Sequence, residues 1–296
     1  MKININEVVT RDGLQIEKKI PSTKFKVNLI DQLMDAGVKR FELTSFVHPK
    51  YVPQMADAED LFSEIDRRSD VVLSALVLND RGVKRAKRTP VDELNITFSL
   101  SETHNRKNAN STVSESIQLV RNVLQETIPV NVCIGTAFGC PFEGLYETEQ
   151  LIPVIESVVE YNPNSISLGD TTGMANPRQV EETCYLIRSK WPEIKLGLHL
   201  HNSRGMGLAN VLAGIRAGVH DFDTALGGIG GCPFAPGATG NICTEDTVHM
   251  LEQMGYETGI VVDKLIQAAK GLEQELGKSL PGQIMKSGKS TATHPA

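Results

Sequence analysis

The chain reads as a closed (β/α)8 barrel, a TIM barrel, with one additional helix at its C-terminal end. Three observations predict this. Short β-branched runs alternate with amphipathic stretches through most of the sequence, no shift of composition interrupts them, and the length suits an α/β barrel built as one domain. An open doubly wound sheet is the rival, but no glycine-rich dinucleotide fingerprint follows the first strand.

Strands are predicted near residues 3–9, 39–46, 71–78, 93–100, 129–136, 164–168, 195–201 and 221–226. Helical patterns lie between them, near 23–36, 55–66, 81–87, 112–125, 147–160, 177–190, 206–217 and 244–254. The third helix is short and the fourth strand is weak. A last helix, about 262–276, lies beyond the eighth unit and is expected to pack on the barrel, so one catalytic domain spans 1–276. Residues 277–296 are rich in Gly, Ser, Lys and Pro, which predicts a mobile tail.

With 40% hydrophobic and 22% charged residues among 296, the chain has ample material for a large core. A net charge of −6, no long basic run, one Trp and five Tyr give little support to nucleic-acid or membrane-surface binding. No apolar stretch approaches the roughly 20 residues that cross a bilayer. The N-terminal residues Met1 to Glu7 lack a secretory apolar region, so cytoplasm is the expected location. Five cysteines, an odd number and widely spaced, form neither a disulfide framework nor a zinc pattern. They read as reduced thiols, mostly buried.

In such a barrel, chemistry gathers at the C-terminal ends of the strands. The seventh strand ends in Leu198-His199-Leu200-His201, where alternation points both imidazoles the same way and makes them a natural pair of metal ligands. An isolated pair of this kind would more often be two unconnected polar residues; the groups on the other strands favour metal. The first strand runs into Thr10-Arg11-Asp12-Gly13, offering a hard oxygen ligand in Asp12 and a fixed cation in Arg11, although Asp-Gly is also a common turn. Glu42 stands inside an apolar strand and needs a partner, for which Arg11 on the neighbouring strand is the obvious choice. That pair reads equally as a structural ion pair or as a direct catalytic part.

After the fourth strand the polar run Ser101 to Asn108, with Arg106 and Asn108, can hold an anionic group; its plain alternative is a solvated loop. Asp170 at the sixth strand end is a site carboxylate or a helix-entry cap. After the eighth strand, four glycines between 227 and 231 precede Cys232, which suits a lid carrying a proton-transferring thiol. Asn241 follows, as an amide oxygen for a metal or as a helix cap. Asp12, His199, His201 and Asn241 make a mixed nitrogen and oxygen set without thiolate. It suits Mg²⁺ or Mn²⁺ with open positions better than structural zinc. A metal that chelates neighbouring oxygens and acidifies a hydroxyl points to C–C cleavage or formation through an enolate.

The runs Arg11-Asp12-Gly13-Leu14-Gln15, Thr44-Ser45-Phe46-Val47 and Ser167-Leu168-Gly169-Asp170-Thr171, with His199-Leu200-His201 and Gly228 to Pro233 through Gly240-Asn241, resemble the 3-hydroxy-3-methylglutaryl-CoA (HMG-CoA) lyase family from about residue 5 to 276. The cysteine-loop motif is specific to these lyases among their barrel relatives. The arginine-aspartate and histidine motifs are shared with isopropylmalate-synthase-like condensing enzymes and carboxyltransferase domains. The resemblance implies a divalent ion on Asp12, His199, His201 and Asn241, with Arg11 on the enolate oxygen and Cys232 in proton transfer. It places Glu42 and Asp170 among the polar site residues and Gln15 beside the metal. The implied reaction cleaves an acyl-CoA, HMG-CoA, to acetoacetate and acetyl-CoA, on leucine breakdown or another acyl-CoA route.

Three departures accompany the resemblance: Val9-Thr10 where Gly-Pro is usual, Ile16-Glu17 for Asn-Glu, and Asn202-Ser203 for Asp-Thr. Asn202 loses a charge that would help fix His201. The alternatives are the same chemistry on a longer 3-substituted glutaryl-CoA or citramalyl-CoA, a condensing enzyme, or an acyl-CoA-binding barrel without turnover. The extra C-terminal helix is a natural surface for a homo-oligomer such as a dimer.

Overall fold

In the computed structural model, which describes residues 1–231 and 240–292, the strand runs close into a parallel barrel. The strands are β1 (Asn4–Glu7), β2 (Arg40–Ser45), β3 (Val72–Val77), β4 (Glu93–Ser99), β5 (Val130–Gly135), β6 (Ser165–Asp170), β7 (Leu196–Leu200) and β8 (Asp221–Thr224). Each pairs with the next in chain order, and β1 pairs with β8 to close the ring. The chain is a TIM barrel. Its helices are α1 (Thr23–Ala36), α2 (Ala58–Glu64), α3 (Asp80–Ala86), α4 (Glu102–Ala109), α5 (Val113–Val123), α6 (Thr148–Val159), α7 (Pro177–Lys190), α8 (Gly207–Arg216), α9 (Thr244–Gln253), α10 (Val262–Leu276) and α11 (Ile284–Ser287).

The strands alternate with a period of two, and the apolar set faces outward. Leu94, Ile96 and Phe98 of β4, Val132 and Ile134 of β5, and Ile166 and Leu168 of β6 are buried against the helices. The residues between them face the barrel axis: Asn95, Thr97 and Ser99, then Asn131 and Cys133, then Ser165 and Ser167, matched by register around the wall. Asn4 and Asn6 of β1 and Asp221 and Asp223 of β8 continue that inner face. Barrel interiors usually carry branched apolar residues. Here the main hydrophobic core is the ring between strands and helices, and the axis is polar.

Local signals end the helices where the sequence stops supporting them. Ser22 caps α1, its hydroxyl accepting the Phe25 N–H, and Gly37 closes the helix at φ 107°. A Cβ on Gly37 would lie 2.2 Å from the Gly259 carbonyl, so glycine alone fits there. Thr112 and Glu115 cap α5 reciprocally. The polar run after β4, read from sequence as a loop, forms α4 instead. Ser101 caps it by accepting the His104 N–H at 3.0 Å, and Asn105 anchors it to Ser99 N and Ser116 Oγ.

The segment after α10 also departs from the mobile tail expected of its composition. Leu280 and Met285 are buried, the Gly282 N–H donates to the Gly227 carbonyl, and Asp246 accepts from the N–H groups of Gln283 and Ile284. Two apolar side chains suffice to dock a polar stretch when its backbone finds partners. No helix among the described residues is long and apolar enough to cross a membrane. Leu280→Ala is expected to lower the stability of the fold by about 2–4 kcal/mol in urea titrations; an unchanged midpoint would mean that 277–292 is not docked in solution.

Candidate metal centre

The C-terminal ends of β1, β2, β7 and β8 bring the candidate residues together. Beyond β1, Val9–Gly13 winds as a single π-type turn, a form often found at functional sites, and presents Arg11 and Asp12. Two glycines let this turn close on the segment after β8. A Cβ on Gly13 would meet Ile229 at 3.0 Å, and one on Gly230, at φ 102°, would lie 2.5 Å from Asn241 Nδ2. Glu7 ties the same pieces from beneath: Oε1 accepts the Val9 and Leu226 N–H groups at 2.9 and 3.0 Å, and Oε2 accepts the Thr244 hydroxyl at 2.7 Å. Burial pushes its carboxyl up to about 8.

Arg11 forms the ion pair with Glu42 that the sequence suggested, through Nε and Nη2 to Oε2, and its Nη1 donates to Asp12 Oδ1 at 2.5 Å. Gln15 Nε2 also donates to Oδ1 of Asp12, at 2.8 Å, and Asn241 Nδ2 to Oδ2, at 2.7 Å. Burial alone would neutralise Asp12, but Arg11 and the two histidines hold its carboxyl down at about 2. Glu42 is pushed the other way, because its burial outweighs the attraction of Arg11.

His199 and His201 project side by side as alternation requires, with Nε2 atoms 3.2 Å apart. His199 Nδ1 lies 3.0 Å from Asp223 Oδ2. A carboxylate there assigns the proton to Nδ1 and turns the Nε2 lone pair toward Asp12 and His201. Burial lowers the His199 pKa, but Asp223 and Asp12 together raise it above the usual imidazole value. Burial and the neighbouring His199 push His201 down to about 4.

One ligand atom each from Asp12, His199 and His201 lies within 4.8 Å of the others. Asn241 Nδ2 is spent on Asp12 and on the Ile229 carbonyl, while its buried Oδ1 has no hydrogen-bond partner. An orphaned buried amide oxygen beside a carboxylate and two imidazoles fits a fourth ligand for a hard or borderline divalent cation.

The remaining candidates sit elsewhere on the rim. Asp170 shares a strand face with Leu200, and its Oδ1 accepts the Met174 and Ala175 N–H groups at 2.8 and 3.1 Å. It organises the loop after β6, with burial pushing its carboxyl up to about 6 and Oδ2 left without a partner. Arg106 pairs with Glu102 one turn earlier at 3.1 Å, and Asn108 is exposed; among the described residues neither joins the Arg11 cluster. Cys232 lies outside the described residues. Asn202 Oδ1 accepts the Gly207 N–H at 3.0 Å at the start of α8.

Two residues escaped the sequence reading. Asp223 supports His199 from β8, a role visible only once register sets β8 beside β7. Thr136 holds φ 52°, rare for a β-branched residue, through Thr171 Oγ1 on its N–H and Ser101 N on its hydroxyl. Such strain commonly marks a functional rim.

Residues 2–271 match the HMGL-like family model. The chain belongs to the HMGL-like family. It is 42% identical over 294 residues to the hydroxymethylglutaryl-CoA lyase YngG of Bacillus subtilis, covering 98% of both chains. It is 39% identical over 300 residues to the (R)-citramalyl-CoA lyase of Chloroflexus aurantiacus, covering 97% of this chain and 95% of that one. Its fold superposes with a TM-score of 0.96 on an HMG-CoA lyase from Acenitobacter baumannii in complex with coenzyme A and 3-methylmalate, at 43% identity over 100% of this chain and 98% of that one.

Asp223→Ala is expected to weaken Mn²⁺ binding about 10–100-fold by calorimetry, the usual cost of losing a group that orients a histidine ligand. Unchanged affinity would mean that Asp223 does not hold His199 for the ion.

Proposed function

We propose that this protein is a divalent-cation-dependent carbon–carbon lyase that cleaves HMG-CoA to acetoacetate and acetyl-CoA. The observation that carries the reading is the convergence of Asp12, His199 and His201 with Arg11 directly alongside. Family membership, the lyase relatives and the coenzyme A complex of the structural relative support the thioester substrate.

In this reading Asp12, His199, His201 and the Asn241 amide oxygen hold Mg²⁺ or Mn²⁺. When bound, the ion acidifies the C3 hydroxyl of the substrate and polarises its oxygens. Asp223 keeps His199 in the tautomer that ligates, and Gln15 and Asn241 keep the Asp12 carboxylate from turning. The C3 hydroxyl gives up its proton to a general base of the site, and its oxygen becomes the ketone of acetoacetate. The C2–C3 bond breaks and its electron pair passes to the thioester as an enolate.

Arg11 is the residue for that developing charge. Its guanidinium is fixed by Glu42 and Asp12 before substrate arrives, and it retains N–H bonds on both terminal nitrogens. A preorganised donor aimed at charge that forms only in the transition state lowers the barrier without tightening substrate binding equally. Cys232, next in sequence after the glycine-rich segment, is assigned to proton transfer to the enolate carbon.

A second reading, the same bond cleavage on citramalyl-CoA, rests on the near-equal identity to the Chloroflexus enzyme. Chelator-treated protein given Mn²⁺ is expected to release acetyl-CoA from HMG-CoA faster than from citramalyl-CoA, and to stop when the ion is removed. Metal-dependent release from citramalyl-CoA alone would transfer the assignment to the second reading, and release from neither would reject both.

A further inference from the structure

Beneath the metal cluster, Asn95 of β4, Asn131 of β5 and Asn164, just before β6, line up head to tail. Asn164 Nδ2 donates to Asn131 Oδ1 at 2.8 Å, Asn131 Nδ2 to Asn95 Oδ1 at 2.9 Å, and Asn95 Nδ2 to Glu42 Oε1 at 2.9 Å. All three amides therefore point their donors the same way, toward Glu42. Side partners reinforce that sense: Ser165 Oγ donates to Asn131 Oδ1 at 2.7 Å, Asn131 Nδ2 reaches Glu93 Oε2 at 2.8 Å, and Asn95 Nδ2 reaches Ser74 Oγ at 3.0 Å.

Glu42 divides its two oxygens between two tasks. Oε2 takes Arg11 and Oε1 takes Asn95. Rotation of this carboxylate, and with it the angle at which Arg11 is gripped, is set by the second bond. Hydrogen-bonded amides in series polarise one another, so the donor at the end of the run is stronger than a lone amide. Glu42 is almost fully buried, which leaves water little access to replace that donor.

We infer that Asn95 is a positioning residue for the reaction: as the donor end of the Asn164–Asn131–Asn95 amide run, it fixes Glu42 and through it holds Arg11 at the enolate. This rests on the lyase reading above. Asn95 acts on Arg11 through Glu42. Its contribution belongs to kcat, because Arg11 meets its full charge only when the enolate forms.

The test compares Asn95→Leu, close in shape but without a donor, with Asn95→Ser, smaller but able to donate. A merely space-filling asparagine predicts that the serine variant is the worse of the two in both melting temperature and activity. The inference predicts a crossed order, with the leucine variant the more stable and the serine variant the more active. The leucine variant should lose about 10–100-fold in kcat with KM within about threefold of wild type, as expected when one preorganised contact in the transition state is disturbed. Mn²⁺ affinity should stay within about twofold, since no ligand is touched.

The second readout is exchange of the acetyl-CoA methyl protons with deuterated water, which forms the same enolate and needs no parent thioester. It should slow in the leucine variant in step with kcat. Exchange and kcat within about twofold of wild type in folded Asn95→Leu would overturn the inference. Absence of metal-dependent acetyl-CoA release from HMG-CoA by the wild type would overturn the lyase reading and this inference with it. If Asn95→Leu does not fold, Asn95→Ala, which lacks a donor and matches serine in size, takes its place against Asn95→Ser, with the serine variant again expected to be the more active.

Discussion

One guanidinium between two carboxylates is the constraint on which the rest of the site depends. Arg11 joins Glu42 of β2 to Asp12 of the turn after β1; both carboxylates are buried and the guanidinium is only slightly exposed. Leaving any one of these charges unpaired there would cost several kcal/mol. The trio therefore forms as a unit. Asp12 stays ionised because of it, and an ionised carboxylate beside a largely neutral His201 is what a divalent cation requires. The π-type turn, the small residues at 13 and 230, and the buried Glu7 serve to bring that unit against β7 and β8.

The polar barrel axis follows from the same demand. A carboxylate such as Glu42 needs donors on every side not facing Arg11, and an apolar interior has none to offer. Asn95 donates to it directly, and Asn131, Asn164, Ser74 and Ser165 extend the polar network behind Asn95. Near the other end of the barrel, Arg40 joins Glu93 at 2.5 Å, so the interior carries a second ion pair that the network also reaches. Hydrophobic stabilisation is supplied by the outer face of the strands, where Phe41, Leu94, Ile96, Val132 and Ile166 meet the helices. Folding and chemistry occupy opposite faces of one sheet.

Much of this was readable in the sequence because the strands alternate strictly. The same alternation that identified β7 also said that His199 and His201 share a face, and Glu42 in an apolar run demanded a cation. Helices α1, α7 and α10 run where the sequence spacing placed them, with Ser22 and Asn176 capping the starts of α1 and α7 and Gly37 and Gly277 closing α1 and α10. Other features depend on register, which no local pattern carries. Asp223 is one acidic residue in an acidic strand until β8 is laid beside β7, and Asn95 is one polar strand residue until β4 is laid beside β5. Helix α4 was hidden because it presents only His104 and Asn105 to the core, too few for an amphipathic stripe. Asn202 is a related case: adjacency to His201 suggested a role in fixing that ring, whereas its side-chain oxygen accepts the Gly207 N–H at the start of α8.

The most direct test of the account is pulsed electron paramagnetic resonance of the Mn²⁺-loaded protein, read for modulation by nitrogen nuclei. The account predicts coupling from imidazole nitrogen that is reduced, not abolished, in His201→Ala, because His199 remains a ligand. A manganese spectrum without nitrogen coupling in the wild-type protein would show the ion bound elsewhere, and the assignment of Asp12, His199 and His201 as the metal centre would be contradicted.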